Sequence, residues 1–279
     1  MTSTSKNVPT GWVATEGDEL YYEVHGQGPP LLMIPGGGGD SRLYSFVTDI
    51  LCDEYKVILF DRRGNARSTR NDPQNFEISQ QSRDAVAVLQ AVGETSALVF
   101  GSSSGAIIAL DMAKTHPQAV RAAISHEPPT VRVLPDSKKW LHYFAGLHHT
   151  AYSVFAPIAI LRFGLMIGWP VINGMRKADI PHESGDRMRE NDDFFMQQEL
   201  IPVITYKPDV EQIKHNRAKV FMAAGQWTLD KQKVYGRTVP ILAEMLGCEM
   251  VTFPGHHNSY VEVPEAWSAV LREILHRAA

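Results

Sequence analysis

The chain has 279 residues, of which 44% are hydrophobic and 21% charged, a composition that excludes disordered and collagen-like classes. Its net charge is −4 and its 27 Lys and Arg are scattered, so we expect no nucleic-acid partner. The two cysteines, Cys52 and Cys248, lack metal-ligand spacing, and the polar N-terminus has no apolar stretch of the secretory type. We therefore expect a cytoplasmic protein with a large hydrophobic core.

The first predicted elements are two antiparallel strands after a polar tail, residues 1–11. Trp12–Ala14 and Glu19–Val24 flank the turn-forming segment Glu16-Gly17-Asp18, as the strands of a hairpin do. Further apolar runs show no alternation with polar residues, which is typical of strands covered on both faces. They are Leu31–Ile34, Val57–Phe60, Ala97–Phe100, Ala122–Ser125, Val220–Ala224 and Met250–Phe253.

Segments with helical spacing lie between these runs, and the alternation of strand and helix predicts an α/β fold with a mostly parallel sheet. The predicted helices are Ser79–Ala91, Ala106–Lys114, Lys233–Leu246 and Pro264–His276. Residues 12–128 and 215–279 are expected to form this core. Residues 129–214 contain no convincing strand, and we expect a helical cap there, over the edge where such sheets bind ligands.

One apolar stretch of the predicted cap, Val154–Ile172, raises the question of a membrane span. Arg162 interrupts it, and Gly164, Gly168 and Pro170 lie inside a window barely long enough to cross a bilayer. A buried lid helix fits this pattern better, with contact to a membrane surface as an alternative. We expect no transmembrane span.

The segment Gly101-Ser102-Ser103-Ser104-Gly105 follows an apolar strand and precedes a predicted helix. In this G-x-S-x-G pattern the central serine occupies a tight turn whose glycines relieve crowding, so its hydroxyl is exposed at the edge of the sheet. Ser103 is therefore the candidate nucleophile. An ordinary Gly/Ser loop is the alternative interpretation.

A serine nucleophile requires a base, and a pair of histidines follows the last predicted strand. His256 and His257 come directly after Phe253-Pro254-Gly255, and either ring could accept the proton of the serine hydroxyl. Acyl transfer also needs backbone N–H donors for the developing oxyanion. The run Gly36–Gly39 after the third strand is a candidate for this role, and a flexible turn is the alternative.

Together these segments resemble the α/β-hydrolase superfamily. Many of its members carry the catalytic histidine seven residues before a proline that opens the final helix, a spacing that Pro264 gives to His257. The glycine run looks like the family's oxyanion loop, which implies oxyanion donors at the amides of Gly37 and Ser104. Asp61–Ser68 resembles the family's D-x-R-G-x-G-x-S segment, with Ala66 in place of the second glycine, and we expect a structural turn there.

The acidic partner of the histidine has two candidates. The family usually places it three residues after a glycine that ends the penultimate strand, but Thr228 stands there and Asp230 follows. Glu127, after an earlier strand, competes with Asp230. The segments Gly101–Gly105, Ser125–Thr130 and Pro254–His257 are similar to those of zearalenone lactonases, in which a glutamate is the triad acid. That resemblance implies the triad Ser103, His257 and Glu127, with Asp230 as the alternative.

These features predict a serine hydrolase that cleaves an ester or lactone of an apolar small molecule, without a metal or an organic cofactor. Aromatic residues are the candidate substrate contacts: Trp140, Tyr143, Phe155, Phe163, Trp169 and Trp227. Because fold and triad host many reactions, a carbon–carbon bond hydrolase, a thioesterase, a lyase and a slow-turnover, receptor-like binding protein remain alternatives. Substrate identity and oligomeric state stay open.

Overall fold

The structure, a computed structural model, describes residues 8–72, 75–177 and 185–278. Its centre is one sheet of eight strands: β1 Thr10–Thr15, β2 Asp18–His25, β3 Pro30–Ile34, β4 Lys56–Phe60, β5 Ala97–Ser102, β6 Val120–His126, β7 Val220–Gly225 and β8 Glu249–Phe253. The strand order is β1-β2-β4-β3-β5-β6-β7-β8. β2 pairs antiparallel with β1 and β4, and the pairs from β4 to β8 are parallel. The predicted hairpin and mostly parallel sheet are confirmed.

Helices cover both faces of this sheet. Those of the core are α1 Ser45–Leu51, α2 Ile78–Ala91 and α3 Ser104–Thr115. Between β6 and β7 lie α4 Ser137–Thr150, α5 Ala156–Ile167, α6 Trp169–Lys177, α7 Gly185–Phe194, α8 Leu200–Thr205 and α9 Val210–His215, with π-helical turns at Ala151–Phe155 and Phe195–Glu199. The chain ends with α10 Gln226–Asp230, α11 Val234–Leu246 and α12 Pro264–Ala278.

Strand β3 shows why the central runs are apolar without alternation. Leu32 and Ile34 pack in one hydrophobic cluster with residues of α2, α3 and α11, whereas Leu31 and Met33 pack in another with residues of α1 and α12. Successive side chains of a strand point to opposite faces, so a strand covered on both sides must be apolar at every position. The result is a layer of helices on each face of the sheet.

The segment between β6 and β7 is helical in the part that the structure describes, and no strand occurs there. Its assignment to a cap over the sheet edge stays a prediction. No helix among the described residues is long and apolar enough to cross a membrane. The short helix α1 was not predicted, because its seven residues give too little periodicity to stand out from the surrounding loop.

The carboxyl ends of the parallel strands bring distant segments together. Ser102 at the end of β5 pairs with His126 at the end of β6, which in turn pairs with Ala223 of β7. Gly225, the last residue of β7, pairs with Phe253 of β8. The residues that follow these strand ends therefore share one edge of the sheet.

Candidate active site

Ser103 occupies the tight turn between β5 and α3. Its backbone has φ 57° and ψ −120°, a conformation that side-chain-bearing residues rarely adopt and that costs about 1–3 kcal/mol. Its N–H donates to the carbonyl oxygen of His126 at 2.9 Å. A Cβ on Gly101 would overlap the carbonyl oxygen of Gly105, and one on Gly105 would overlap that of Ile34. The glycines are therefore needed for the turn to close.

Glu127 follows β6 and is fully buried. Its backbone also has a positive φ, 52°. The N–H of Gly225 donates to Oε1 at 2.7 Å, and Oε2 is hydrogen-bonded to Nδ1 of His257. Burial raises the pKa of this carboxyl. Nearby His126 and the hydrogen bonds from His257 and Gly225 lower it by more than burial raises it, so the pKa lies below its usual range. The Glu127 carboxylate is thus held in its charged form.

His257 lies in the loop after β8, with its side chain 13% exposed. Its ring packs against Tyr235, with centroids 4.7 Å apart, and stacks on the ring of His126 at 6.0 Å. Because Nδ1 is engaged by Glu127, Nε2 is the nitrogen left to exchange a proton with another group. This is the orientation that a carboxylate gives to a catalytic imidazole.

The competing residues lie in other surroundings. The Nε2 of His256 is hydrogen-bonded to Glu262 at 2.6 Å. One ring nitrogen of His256 is therefore engaged by a carboxylate other than that of Glu127. Asp230 is exposed at the end of α10, where its carboxylate accepts from the Gln226 side chain at 2.8 Å. The structure brings Glu127, and not Asp230, to His257.

The glycine run lies beside the serine turn. A Cβ built on Gly36 would be 3.0 Å from the Cβ of Ser103, so the loop backbone passes close to the hydroxyl. The ring of Phe195 covers Gly37, with its nearest atom 2.7 Å from the position of an added Cβ. Ser104 is the first residue of α3 and fully buried, and N–H groups of a first helical turn have no partner within the helix. Ser104 thus adjoins Ser103 in the chain, and Gly37 follows the glycine that passes close to it.

The predicted aromatic contacts are spread over several environments. Phe163 packs against Phe195 with centroids 5.3 Å apart, and Trp227 packs 6.2 Å from His256. Trp140 and Tyr143 line a surface cleft with Arg162 and Met166. The lining of that cleft does not include Ser103 or His257.

For two more predicted contacts, Trp169 and Phe155, the described residues show no contact with the candidate site. Trp169 is 65% exposed. Phe155 lies outside the residues whose side chains the structure describes. Of the five predicted aromatics whose side chains the structure describes, Phe163 and Trp227 contact residues next to the candidate site: Phe195, which covers Gly37, and His256, which precedes His257.

His126 is a buried histidine beside the triad candidates, and the sequence predicted no role for it. His126 is completely buried, its Nδ1 lies 3.0 Å from the Ser102 hydroxyl, and its Nε2 has no hydrogen-bond partner among the described residues. Burial is the main cause that lowers its pKa, to about 4. At neutral pH, His126 is therefore an uncharged ring packed against His257.

The same residues form the one group in the described part of the chain with a spacing suited to a metal. Ligand atoms of His126, Glu127 and His257 lie within 4.8 Å of one another. Both Glu127 oxygens already accept hydrogen bonds, from Gly225 and His257. A metal bound to this group would compete with these hydrogen bonds for the Glu127 oxygens, so we expect hydrogen bonding here, and the absence of a metal cofactor stays a prediction.

The Asp61–Ser68 segment forms a hydrogen-bonded turn, as expected. Asp61 accepts from the N–H and the hydroxyl of Ser41, at 3.0 and 2.7 Å, and from Arg67. Arg62, by contrast, reaches out of the turn to Glu199 and to the carbonyl of Gly36. Nothing in the sequence indicated that Glu199 belongs to this region, because its position depends on how the helices between β6 and β7 fold back.

Comparisons with known proteins agree with this architecture. The profile of the alpha/beta hydrolase fold matches residues 29–164. The uncharacterized hydrolase YraK of Bacillus subtilis is 29% identical over 281 residues, 97% of each chain. A zearalenone hydrolase of Cladophialophora bantiana is 32% identical over 131 residues, 46% of this chain and 49% of that protein.

A solved structure gives the same fold over nearly the whole chain. The thermophilic esterase of Thermogutta terrifontis superposes with a TM-score of 0.77 at 17% identity, over 97% of this chain and 99% of that one. At this identity the likeness concerns the fold alone. Together with the family profile and the full-length relative, it confirms the fold expected from the sequence. The chain therefore has the α/β-hydrolase fold and is similar to hydrolases of that superfamily.

Proposed function

We propose that this protein is a serine hydrolase that cleaves an ester or lactone bond of an apolar small molecule through an acyl-enzyme. The observation that carries the proposal is the hydrogen bond between His257 Nδ1 and the buried Glu127 carboxylate, at the same sheet edge as the strained turn of Ser103. A base oriented by a carboxylate beside a serine at such a turn is the arrangement that acyl transfer uses.

Each group has a role in the proposed reaction. Ser103 Oγ attacks the carbonyl carbon while His257 Nε2 accepts its proton, and Glu127 stabilises the resulting imidazolium. The N–H groups of Gly37 and Ser104 stabilise the oxyanion. His257 then donates the proton to the leaving alcohol, and a water molecule, activated by the same imidazole, hydrolyses the acyl-enzyme.

An apolar substrate is supported by the surroundings of the glycine run. Phe195 covers Gly37 and belongs to a hydrophobic cluster with Phe144, Leu147 and Met196 of the helical segment. An acyl group bound at Ser103 would approach this aromatic surface, where apolar contact is favourable. The zearalenone hydrolase relative makes a macrolactone a reasonable first substrate to test.

The experiment compares turnover of four substrate types by the wild-type protein and by Ser103→Ala. The panel is a series of p-nitrophenyl esters from acetate to octanoate, the matched thioesters, the macrolactone zearalenone, and a vinylogous 1,5-diketone for carbon–carbon cleavage. We expect Ser103-dependent turnover of esters or the macrolactone, with kcat/KM increasing with acyl length. Turnover of the diketone alone would contradict the proposal, and so would ester turnover that survives in Ser103→Ala.

A further inference from the structure

A buried ion pair joins the glycine run to the helical segment between β6 and β7. Nη2 of Arg62 donates to Oε1 of Glu199 at 2.6 Å and to the carbonyl oxygen of Gly36 at 2.6 Å. Arg62 follows β4, whereas Glu199 ends a π-helical turn 137 residues later. Both side chains are fully excluded from solvent. One guanidinium thus links the turn after β4 to the glycine run and to the helical segment, and its Nη1 also donates to Oε1 of Gln81 in α2 at 3.4 Å.

The hydrogen bond to Gly36 determines where the next N–H points. The carbonyl of Gly36 and the N–H of Gly37 belong to one planar trans peptide unit, so they point in opposite directions. The same carbonyl oxygen also accepts from the N–H of Gly39 at 3.0 Å. Two donors on this oxygen therefore orient the N–H of Gly37, which is the candidate oxyanion donor.

A run of four glycines needs such a restraint. Without Cβ atoms, the peptide units of this loop can rotate at little steric cost. An oxyanion donor, however, is effective only when its direction is fixed before the reaction begins. Phe195 limits the space beside Gly37, but a ring contact cannot orient an N–H group, whereas a hydrogen bond to the adjoining carbonyl can.

The ion pair is not built for maximal stability. Arg62 Nε and Glu199 Oε2 are buried without a hydrogen-bond partner among the described residues. Buried pairs are costly to desolvate, and apolar residues of similar volume often stabilise a protein equally well. The favourable part of this arrangement is thus the contact that Arg62 makes with Gly36, not the pair alone.

We propose that Arg62 and Glu199 are positioning residues for the oxyanion hole: Glu199 holds the Arg62 guanidinium, and Arg62 holds the Gly36 carbonyl so that the Gly37 N–H faces the oxyanion. This inference rests on the proposed function. It also makes the helical segment between β6 and β7 a contributor to catalysis through a single carboxylate, in addition to any role in covering the site.

The test uses the double variant Arg62→Met/Glu199→Leu, which removes both charges together so that neither remains buried alone. On an ester substrate we expect kcat to fall about 10- to 100-fold, part of the loss caused by removing an oxyanion donor, with KM changed less than about threefold. Two inhibitors separate positioning from structure. A trifluoromethyl ketone, which forms an oxyanion on Ser103, should bind more weakly by the same factor as kcat, whereas the neutral product alcohol should bind unchanged.

Arg237→Met is the matched control. Arg237 joins Asp136, at the start of α4, to α11 through two hydrogen bonds of 3.0 and 2.8 Å, so it links the same helical segment to the core without touching Gly36. We expect its kcat to stay within about twofold of the wild type. If the double variant does not fold, Glu199→Gln, which keeps the side-chain shape, should still lower kcat and ketone affinity in parallel, by about threefold or more.

Unchanged kcat and ketone affinity in the folded variants would overturn the inference, and so would an equal loss of affinity for ketone and alcohol. Failure of the proposed function gives a different result. In that case the wild-type protein itself would show no turnover that depends on Ser103, and the positioning role would fall with it.

Discussion

His257 Nδ1 is hydrogen-bonded to the carboxylate of Glu127, 130 residues earlier in the chain. The contact forms because β6, β7 and β8 are consecutive strands of the sheet. The residue just past the end of β6 and the loop after β8 therefore lie at the same edge of the sheet, one strand apart. A second anchor, the N–H of Gly225 at the end of β7, fixes the other carboxylate oxygen at 2.7 Å. The position of the acid thus depends on strand order and not on proximity in sequence.

The role of Glu127 is testable against its rival. Glu127→Gln keeps the shape but removes the charge that stabilises the His257 imidazolium, so we expect kcat for an ester substrate to fall about 10³- to 10⁴-fold. Asp230→Asn changes an exposed carboxylate that contacts Gln226, and its kcat should stay within about twofold. Steady-state kinetics of both variants decide the assignment, and the reverse pattern would transfer the role of acid to Asp230.

Substitutions of His257 and His256 should have very different effects on kcat. His257→Gln removes the base, and we expect kcat to fall about 10³-fold or more. His256→Gln keeps a donor that can reach Glu262, the partner of His256 at 2.6 Å, so its kcat should fall less than about tenfold. Comparable losses in both variants would show that His256 takes part in the chemistry or that both histidines are needed for the loop to fold.

His126 should make the protein sensitive to acid. Its pKa is about 4 in the folded protein against an ordinary value of 6.5, so between these pH values the unfolded chain binds the additional proton. The free energy of unfolding should therefore decrease as pH falls through this window, with His126 accounting for about 2 kcal/mol between pH 7 and pH 5.

Urea unfolding at both pH values measures this effect. His126→Asn places an amide oxygen near the position of Nδ1, where it can still accept from the Ser102 hydroxyl, and it cannot titrate. The variant should therefore lose about 2 kcal/mol of the difference between pH 7 and pH 5. An identical pH dependence in the wild type and the variant would show that His126 is not buried as an uncharged ring.

The glycine after the serine turn can be tested by stability alone. Gly105→Ala would bring a Cβ into the carbonyl oxygen of Ile34, and its nearest other neighbour is also a backbone atom, the carbonyl oxygen of Pro35 at 2.8 Å. We expect the free energy of unfolding to fall by about 1–3 kcal/mol. Gly146 is a helical position with open space around it. In the control variant Gly146→Ala, the free energy of unfolding should therefore rise by about 0.5–1 kcal/mol. Equal effects would mean that α3 does not pack this tightly.

The sequence was informative where chemistry and local pattern coincide. The Ser103 turn could be predicted because Gly101, Ser103 and Gly105 form a local pattern between a strand and a helix, although the contact that requires Gly105 is made with Ile34, far away in sequence. The strands could be predicted because burial on two faces leaves an unbroken apolar run. The fold followed from the alternation of these runs with helical segments.

The less predictable features depend on long-range packing. Glu127 had to be chosen against Asp230 by resemblance, since sequence spacing does not reveal which strand end faces His257. Arg62 was included in a structural turn, and its partner Glu199 carries no local signal of burial or pairing. Aromatic residues such as Trp140 and Trp169 look alike in sequence whether they face the site, a separate cleft or solvent.

The central claim is that Ser103 is a nucleophile activated by His257 and Glu127, and covalent labelling by a fluorophosphonate tests it most directly. Intact-mass and peptide analysis should show one phosphonyl group on Ser103 in the wild type and in the control variant Ser102→Ala. Ser103→Ala should not be labelled, and His257→Gln should be labelled at least about 100-fold more slowly. Labelling at another residue, or at an undiminished rate in His257→Gln, would contradict the account.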